Sequence, residues 1–177
     1  MKMNIDTSHS EVGFKVKHLM ISAVKGSFTT VMGTAEGELD NLNISVTIDP
    51  TSINTNDEGR DEHLKSSDFF QVKNFPSIDF VASGVNINDP AIEGELTIKG
   101  ITKPVVFTMN YNGKGVDPWG NVKHGFEIIG LINRNDFGLT WNAALEAGGV
   151  LVSEQVSLNI DIQALEVELM TSTDAAQ

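Results

Sequence analysis

Leu42-Asn43-Ile44-Ser45-Val46-Thr47-Ile48 alternates apolar and polar side chains without a break. Successive residues of a strand point to opposite faces, so this stretch turns Leu42, Ile44, Val46 and Ile48 to one side. It reads as a half-buried strand. Asp49-Pro50 ends it, because proline has no N–H to give to a ladder. The same rhythm recurs in both directions. Upstream, Val12, Phe14, Val16, His18 and Met20 fall on alternate positions, and Val24 to Glu38 is a second strand region broken by Gly26, Gly33 and Gly37. Glycines inside strands predict bulges, bends or close backbone approach. Downstream, the alternating sets are Ile78, Phe80 and Ala82, then Ile92, Gly94, Leu96 and Ile98, then Val105, Phe107, Met109 and Tyr111. Phe126, Ile128 and Ile132 follow with Gly130 in register, and Val156, Leu158, Ile160, Ile162 and Ala164 make the last full strand. The short connection Gly100–Pro104 predicts antiparallel pairing of the strands beside it. Gly113 to Asn121 reads as a longer loop. Leu165, Val167 and Leu169 shift to the other parity, which predicts a bulge or a strand leaving the sheet. Residues 139–149 have no clear period; Trp141 reads as buried, and Ala143–Ala147 as a helical turn or a loop.

One segment breaks the rhythm. Ser52 to Phe70 has a polar start, a charged middle and Phe69-Phe70 at its end. Asn56 or Asp57 is placed to cap a short helix, since a side-chain oxygen there can accept from free backbone N–H groups. The three-and-four spacing puts Asp61, Leu64 and Lys65 on one side of it. This predicts a helical insertion near residues 56–68, acting as a plug or lid on a container made of strands. The sum is about eight antiparallel strands, which suits a sandwich or a closed barrel. A barrel of about eight strands holds either its own side chains or one small ligand. The inward positions carry long, adaptable or aromatic groups: Phe14, Met20, Phe28, Met32, Phe80, Phe107, Met109 and Phe126. Those groups favour a ligand, against the plainer alternative of a packed core. His18 shares the apolar face and reads first as a core imidazole with a hydrogen-bond partner.

Composition narrows the chemistry. The 177 residues suit a single domain, expected over 1–170, with a loose polar tail over 171–177. Lys plus Arg number 12 against 24 for Asp plus Glu, a net charge of −12 that repels nucleic-acid phosphates and anionic membrane surfaces. There is no cysteine, so disulfides, thiolate metal sites and a cysteine nucleophile are excluded. No run approaches ~20 consecutive apolar residues, and the first residues lack the apolar core of a signal peptide, so a cytoplasmic location is expected.

Reactive constellations are not found. With Gly59 at the sixth position of an EF-hand loop, Lys65 falls where a bidentate carboxylate is required. Asp57, Asp61 and His63 could gather a cation, though a solvated charged face is the simpler reading. No Gly-x-Ser-x-Gly elbow or HExxH spacing occurs, and Gly113-x-Gly115 lacks the third glycine of a dinucleotide fingerprint. No catalytic residue, metal or cofactor is therefore assigned. An enzyme using Asp61, His63 or Asp68 on an isoprenoid-like amphiphile is the alternative.

Arg60-Asp61-Glu62-His63-Leu64-Lys65-Ser66-Ser67-Asp68-Phe69-Phe70, followed by Phe75-Pro76-Ser77-Ile78-Asp79-Phe80, resembles the signature of the YceI-like, polyisoprenoid-binding family. So do His9-Ser10, Phe14-x-Val16-x-His18-Leu19, Gly26-x-Phe28, Gly94 to Gly100, and Ile132-Asn133-Arg134-x-Asp136-Phe137-Gly138. The resemblance spans nearly all of residues 4–165. It implies an all-β, extended antiparallel lipocalin-like barrel that holds a long-chain amphiphilic lipid, a polyisoprenoid or an isoprenoid quinone-like molecule. It also implies a homodimer, and it attaches no catalytic role to the matched residues. A packed, ligand-free barrel acting in a stress response is the remaining alternative. On this reading the ligand meets Phe14, Val16, His18, Met20, Phe28, Met32, Phe80, Phe107, Met109 and Phe126 in the interior. Arg60, His63, Leu64, Phe69, Phe70, Phe137 and Trp141 complete the interior and mouth, with Arg60 or Arg134 near the polar head. Two positions depart from the family pattern: Met3-Asn4-Ile5 stands where a tryptophan often precedes Asp6, and Val31 stands where a second aromatic often follows Phe28.

Overall fold

The computed structural model describes residues 1–168; the polar tail expected over 171–177, together with Leu169 and the end of the expected domain, lies outside the described residues. The strands are β1 (Lys2–Ile5), β2 (Glu11–His18), β3 (Ser22–Phe28), β4 (Val31–Glu38), β5 (Asn41–Ile48), β6 (Ile53–Asn54), β7 (Ile78–Val85), β8 (Ala91–Ile98), β9 (Ile101–Val116), β10 (Val122–Asn133) and β11 (Val152–Val167). The one α-helix among the described residues, α1 (Glu58–Lys65), lies between β6 and β7. Every pairing is antiparallel. Eight strands close a ring in the order β1-β4-β5-β7-β8-β9-β10-β11, and β11 returns to β1.

The 16-residue β11 is the seam of the barrel. Its Ala164–Val167 end pairs with β1, and its Val152–Asp161 part pairs with β2 along the same edge. β1 and β2 are thus one bent strand, interrupted at Thr7–His9, where Asp6 accepts from the Ser8 N–H. The next layer bends likewise: β4 pairs with β1 and β3 pairs with β2. β6 adds two residues against β3, and α1 then crosses this end of the barrel.

Alternation predicted most of these strands, and four local departures have physical causes. Thr29 and Thr30 separate β3 from β4 and reverse the parity, so both Phe28 and Val31 are buried and Met32 faces solvent at 60% exposure. Leu19 and Met20 both take positive φ, at 55° and 60°, so β2 ends at His18 and Met20 sits in an exposed hairpin turn. The loop expected over Gly113–Asn121 shrinks to residues 117–121. β9 and β10 stay paired out to Val116 and Val122, and a bulge at Gly125/Phe126 absorbs the irregularity. Finally, β11 keeps its parity past Ala164, with unbroken register against β10 from Gln155 to Leu165. The residue that continues the inward set is Glu166.

The Lys99-Gly100 turn takes positive φ at both positions and joins β8 to β9. Pro104 lies in β9 before the pairing with β10 begins at Thr108, so its missing N–H falls on a free edge. Residues 139–151 are irregular rather than helical, with a lone bridge between Ala144 and Val150. No helix among the described residues is long and apolar enough to cross a membrane.

Candidate functional site

The barrel is hollow. A cavity of about 420 Å³ runs through it, within the range of roughly 300–1,000 Å³ common for ligand pockets. Every ring strand contributes inward side chains. Met3 and Ile5 come from β1, Ile44, Val46 and Ile48 from β5, Leu96 and Ile98 from β8, and Val156, Leu158, Ile160, Ile162 and Ala164 from β11. Along β11 the eight steps from Val156 to Ala164 cover about 27 Å of wall at ~3.4 Å per residue. Met3 and Val31, the two departures from the family pattern, are both buried and both line this space.

Glycines explain why so many aromatic residues leave the centre empty. Gly26, Gly94 and Gly130 occupy inward positions on β3, β8 and β10. A Cβ at each would stand less than 3.0 Å from a phenylalanine ring on the preceding strand: Phe14 over Gly26, Phe80 over Gly94 and Phe107 over Gly130. Each ring therefore lies down on bare backbone instead of projecting to the axis. Phe80 and Phe107 stack with centroids 6.3 Å apart, covering one side of the wall.

One end of the cavity is covered by α1. Asp57 caps the helix by accepting from the Arg60 N–H at 2.8 Å, so of the two expected caps it is Asp57 that serves. Asp61 accepts from the backbone N–H and hydroxyl of Thr55, at 2.9 and 2.6 Å. The Arg60 guanidinium donates to Thr55 Oγ1 and O, both at 2.8 Å. The helix is thereby fastened to the residue after β6. Beyond it, Phe70 meets Phe28 edge-on at 5.7 Å, and Phe28 contacts Phe14 at 5.6 Å. On the other flank, Trp141 meets His63 at 4.8 Å and Phe69 at 5.4 Å. His63 Nε2 lies 2.8 Å from Asp68 Oδ2. Of the acid and base groups considered for catalysis or for a cation, His63 and Asp68 thus meet, while Asp61 is held by Thr55 and Asp57 serves as a cap; no three of them gather among the described residues.

Arg134 anchors the Trp141 segment. It is 4% exposed, and its guanidinium donates to the carbonyls of Ser153, Leu139, Trp141 and Val152, at 2.9, 2.6, 2.8 and 3.3 Å. Burial pushes its pKa down, and the nearby Glu154 acts against that shift. Arg134 also borders the cavity, as do Lys17 and His18 at the tip of β2. His18 has no side-chain hydrogen bond among the described residues, so it stands at the cavity rim and not in the core with a partner.

The opposite end holds a different polar group. His124, 1% exposed, places Nε2 2.6 Å from Glu166 Oε1 and Nδ1 2.8 Å from the Tyr111 hydroxyl. A neutral imidazole satisfies both, donating from Nε2 to the carboxylate and accepting from tyrosine at Nδ1. Burial, and then the Glu166 charge, push the Tyr111 pKa up. Just outside, Lys123 Nζ donates to Asp6 at 2.8 Å. That bond, followed by one from Ser8, holds the Asp6 carboxyl well below the usual carboxylate range, against the opposing effect of burial.

Of the residues singled out from sequence, Phe14, Val16, His18, Phe28, Arg60, His63, Leu64, Phe69, Phe70, Phe80, Phe107, Met109, Phe126 and Trp141 border the cavity. Three do not. Met20 and Met32 are exposed for the reasons given above. Phe137 is buried at 1%, but a 3-10 turn (Arg134–Phe137) carries it behind the wall, beside Lys103, Pro104 and Leu131. The sequence reading passed over Lys17 and the His124–Tyr111–Glu166 group. Tyr111 ends the alternating set of β9, His124 continues the Phe126, Ile128 series backwards and Glu166 continues the Ala164 series forwards. Following each alternation by one more step finds both.

Residues 3–164 match the family model described as the YceI-like domain. A UPF0312 protein of Staphylococcus aureus is 43% identical over 155 residues, covering 85% of this chain and 90% of its own. A UPF0312 protein of Staphylococcus epidermidis is 40% identical over 159 residues, covering 88% and 92%. Among solved structures, the Campylobacter jejuni YceI protein superimposes with a TM-score of 0.72 at 34% identity, covering 92% of this chain and 96% of that one. Burkholderia cenocepacia BcnA gives 0.75 at 19% identity, covering 90% and 98%. A domain from Saccharophagus degradans, described as polyisoprenoid binding, gives 0.69 at 12% identity, covering 93% and 98%. These last two share the fold.

Proposed function

The chain belongs to the YceI-like family, and on that premise we propose that it binds a long-chain amphiphilic lipid, of polyisoprenoid or isoprenoid quinone type, and carries or stores it. The observation that supports this reading is the long apolar cavity with phenylalanine rings laid against its wall. Such a space strips water from a hydrocarbon tail at about 0.8 kcal/mol per buried methylene, so about twelve methylenes gain on the order of 10 kcal/mol before ordering costs. Affinity of this kind needs few polar contacts, and discrimination falls to length and width. The polyisoprenoid name of the Saccharophagus degradans domain agrees with this reading of the shared fold.

The test is extraction of the natively purified chain into organic solvent, followed by mass spectrometry and rebinding. A long-chain lipid in the extract, and saturable uptake of a long-chain prenol by the stripped protein, are expected. A stripped, folded protein that takes up no long-chain prenol or fatty chain would overturn the proposal.

A further inference from the structure

The chain is strongly acidic, yet, with the inward Glu166 beyond the far end taken by His124, no aspartate or glutamate among the described residues lines its cavity. The charged or ionisable residues that do are Lys17, His18, Arg60, His63 and Arg134, and all of them are basic. With acids outnumbering Lys and Arg by 24 to 12, this segregation is not what the composition alone would deal. These residues also share one end. His18 is the strand partner of Val152, whose carbonyl accepts from Arg134. Arg134 donates to the carbonyl of Trp141, and the Trp141 ring meets His63. Arg60 is one helical turn before His63 on α1. Lys17 adjoins His18, and its backbone N–H donates to Ser153, the residue whose carbonyl takes another Arg134 bond.

Their pairing is incomplete as charge. Arg134 is buried, uses four of its five N–H groups on carbonyls, and has no carboxylate within 4.0 Å among the described residues. The Arg60 guanidinium is bonded, among the described residues, to Thr55 alone. Lys17 has no ion pair among the described residues. The acids at this end are Asp61, which accepts from the same Thr55 hydroxyl that takes the Arg60 Nε bond, Asp57 at the helix cap, Asp68, taken by His63, and Glu154, exposed on β11. Among the described residues none of them lies within 4.0 Å of a guanidinium nitrogen. A buried cation such as Arg134 is costly without a counter-charge, and an anion brought by a ligand would offset that cost; the half-buried Arg60 and the exposed Lys17 would add attraction.

Building on the lipid-binding reading above, we propose that the ligand's head group is anionic, a carboxylate or a phosphate, held at the α1 end by Lys17, His18, Arg60, His63 and Arg134 while the tail runs toward the His124 end. Arg60 and Arg134 supply fixed charge, Lys17 adds long-range attraction at the rim, and the imidazoles supply hydrogen bonds. The apolar wall then sets which tail fits, and the basic end sets which head.

The experiment compares two matched pairs by calorimetric titration of the stripped native chain: dodecanoate against dodecanol, and farnesyl monophosphate against farnesol. Each charged member is expected to bind at least tenfold more tightly than its alcohol, with the preference shrinking as salt rises. The tighter of the two charged probes identifies the head as carboxylate or phosphate. Lys17→Gln and Arg60→Gln are each expected to weaken the charged probes several-fold and leave the alcohols within twofold. Because Arg60 also fastens α1, Lys17→Gln provides the variant free of structural contacts. Equal affinity within each pair, or a uniform loss for all four probes in both variants, would overturn the anionic head and leave the lipid-binding reading intact. Failure of all four probes to bind would overturn both.

Discussion

The two ends of the cavity treat polar side chains in opposite ways. At the His124 end, imidazole, tyrosine hydroxyl and carboxylate close on one another at 2.6 and 2.8 Å, and nothing is left to offer. At the α1 end, two guanidinium groups spend their hydrogen bonds on carbonyls and a threonine, and no carboxylate among the described residues touches either of them. A self-satisfied network stabilises a fold and excludes guests. An unbalanced one costs stability and invites them. On the reading proposed above, the contrast separates a foot that holds the barrel shut from a head end that receives the ligand. Between them the wall carries no charge at all.

That contrast fails most completely if the middle is made polar. Phe107→Asp puts a carboxylate on the neutral wall and should abolish uptake of a long-chain fluorescent lipid, a loss of a hundredfold or more. Phe80→Asp serves as a second copy of the test, with circular dichroism reporting the fold. Undiminished uptake by a folded variant would remove these residues from the binding surface. A smaller effect is expected at the foot. His124→Ala leaves Tyr111 and Glu166 without their shared partner and should lower unfolding stability by about 2–4 kcal/mol in urea. Lipid affinity should change less than twofold, and a large loss of affinity with intact stability would make the foot part of the binding site.

The smallest effect is one of pH. Asp6, held by Lys123 beside the foot, has its folded-state pKa depressed. Its contribution is therefore full above the ordinary aspartate value of about 3.9 and is lost as pH falls through the lower folded-state value. Lys123→Met should flatten this acid-side loss of stability by about 1 kcal/mol or less, measured by thermal unfolding between pH 5 and 2. An unchanged acid limb would show that the pair contributes nothing.

The fold was legible because period-two alternation is local, and the structure follows it in nearly every strand. It misled where an extra residue reverses parity, as at Thr29-Thr30, since insertion of a turn leaves no hydrophobic mark of its own. Glycine was read correctly as close approach but not as a seat for an aromatic ring, because the ring arrives from a different strand. The polar foot joins residues 13 and 42 positions apart. Its members became neighbours only through the β9–β10–β11 register, which alternation does not specify. The helix was the easier part: Asp57 and the Phe69-Phe70 pair mark its beginning and its anchor within fourteen residues.

The three phenylalanines resting on Gly26, Gly94 and Gly130 make the bore of the barrel an adjustable gauge. Strand number and tilt can stay fixed while one methyl group at a glycine narrows the passage, or one shortened ring opens it. Relatives with the same architecture could thus be fitted to slimmer or stouter cargo through single substitutions, with no rebuilding of the frame.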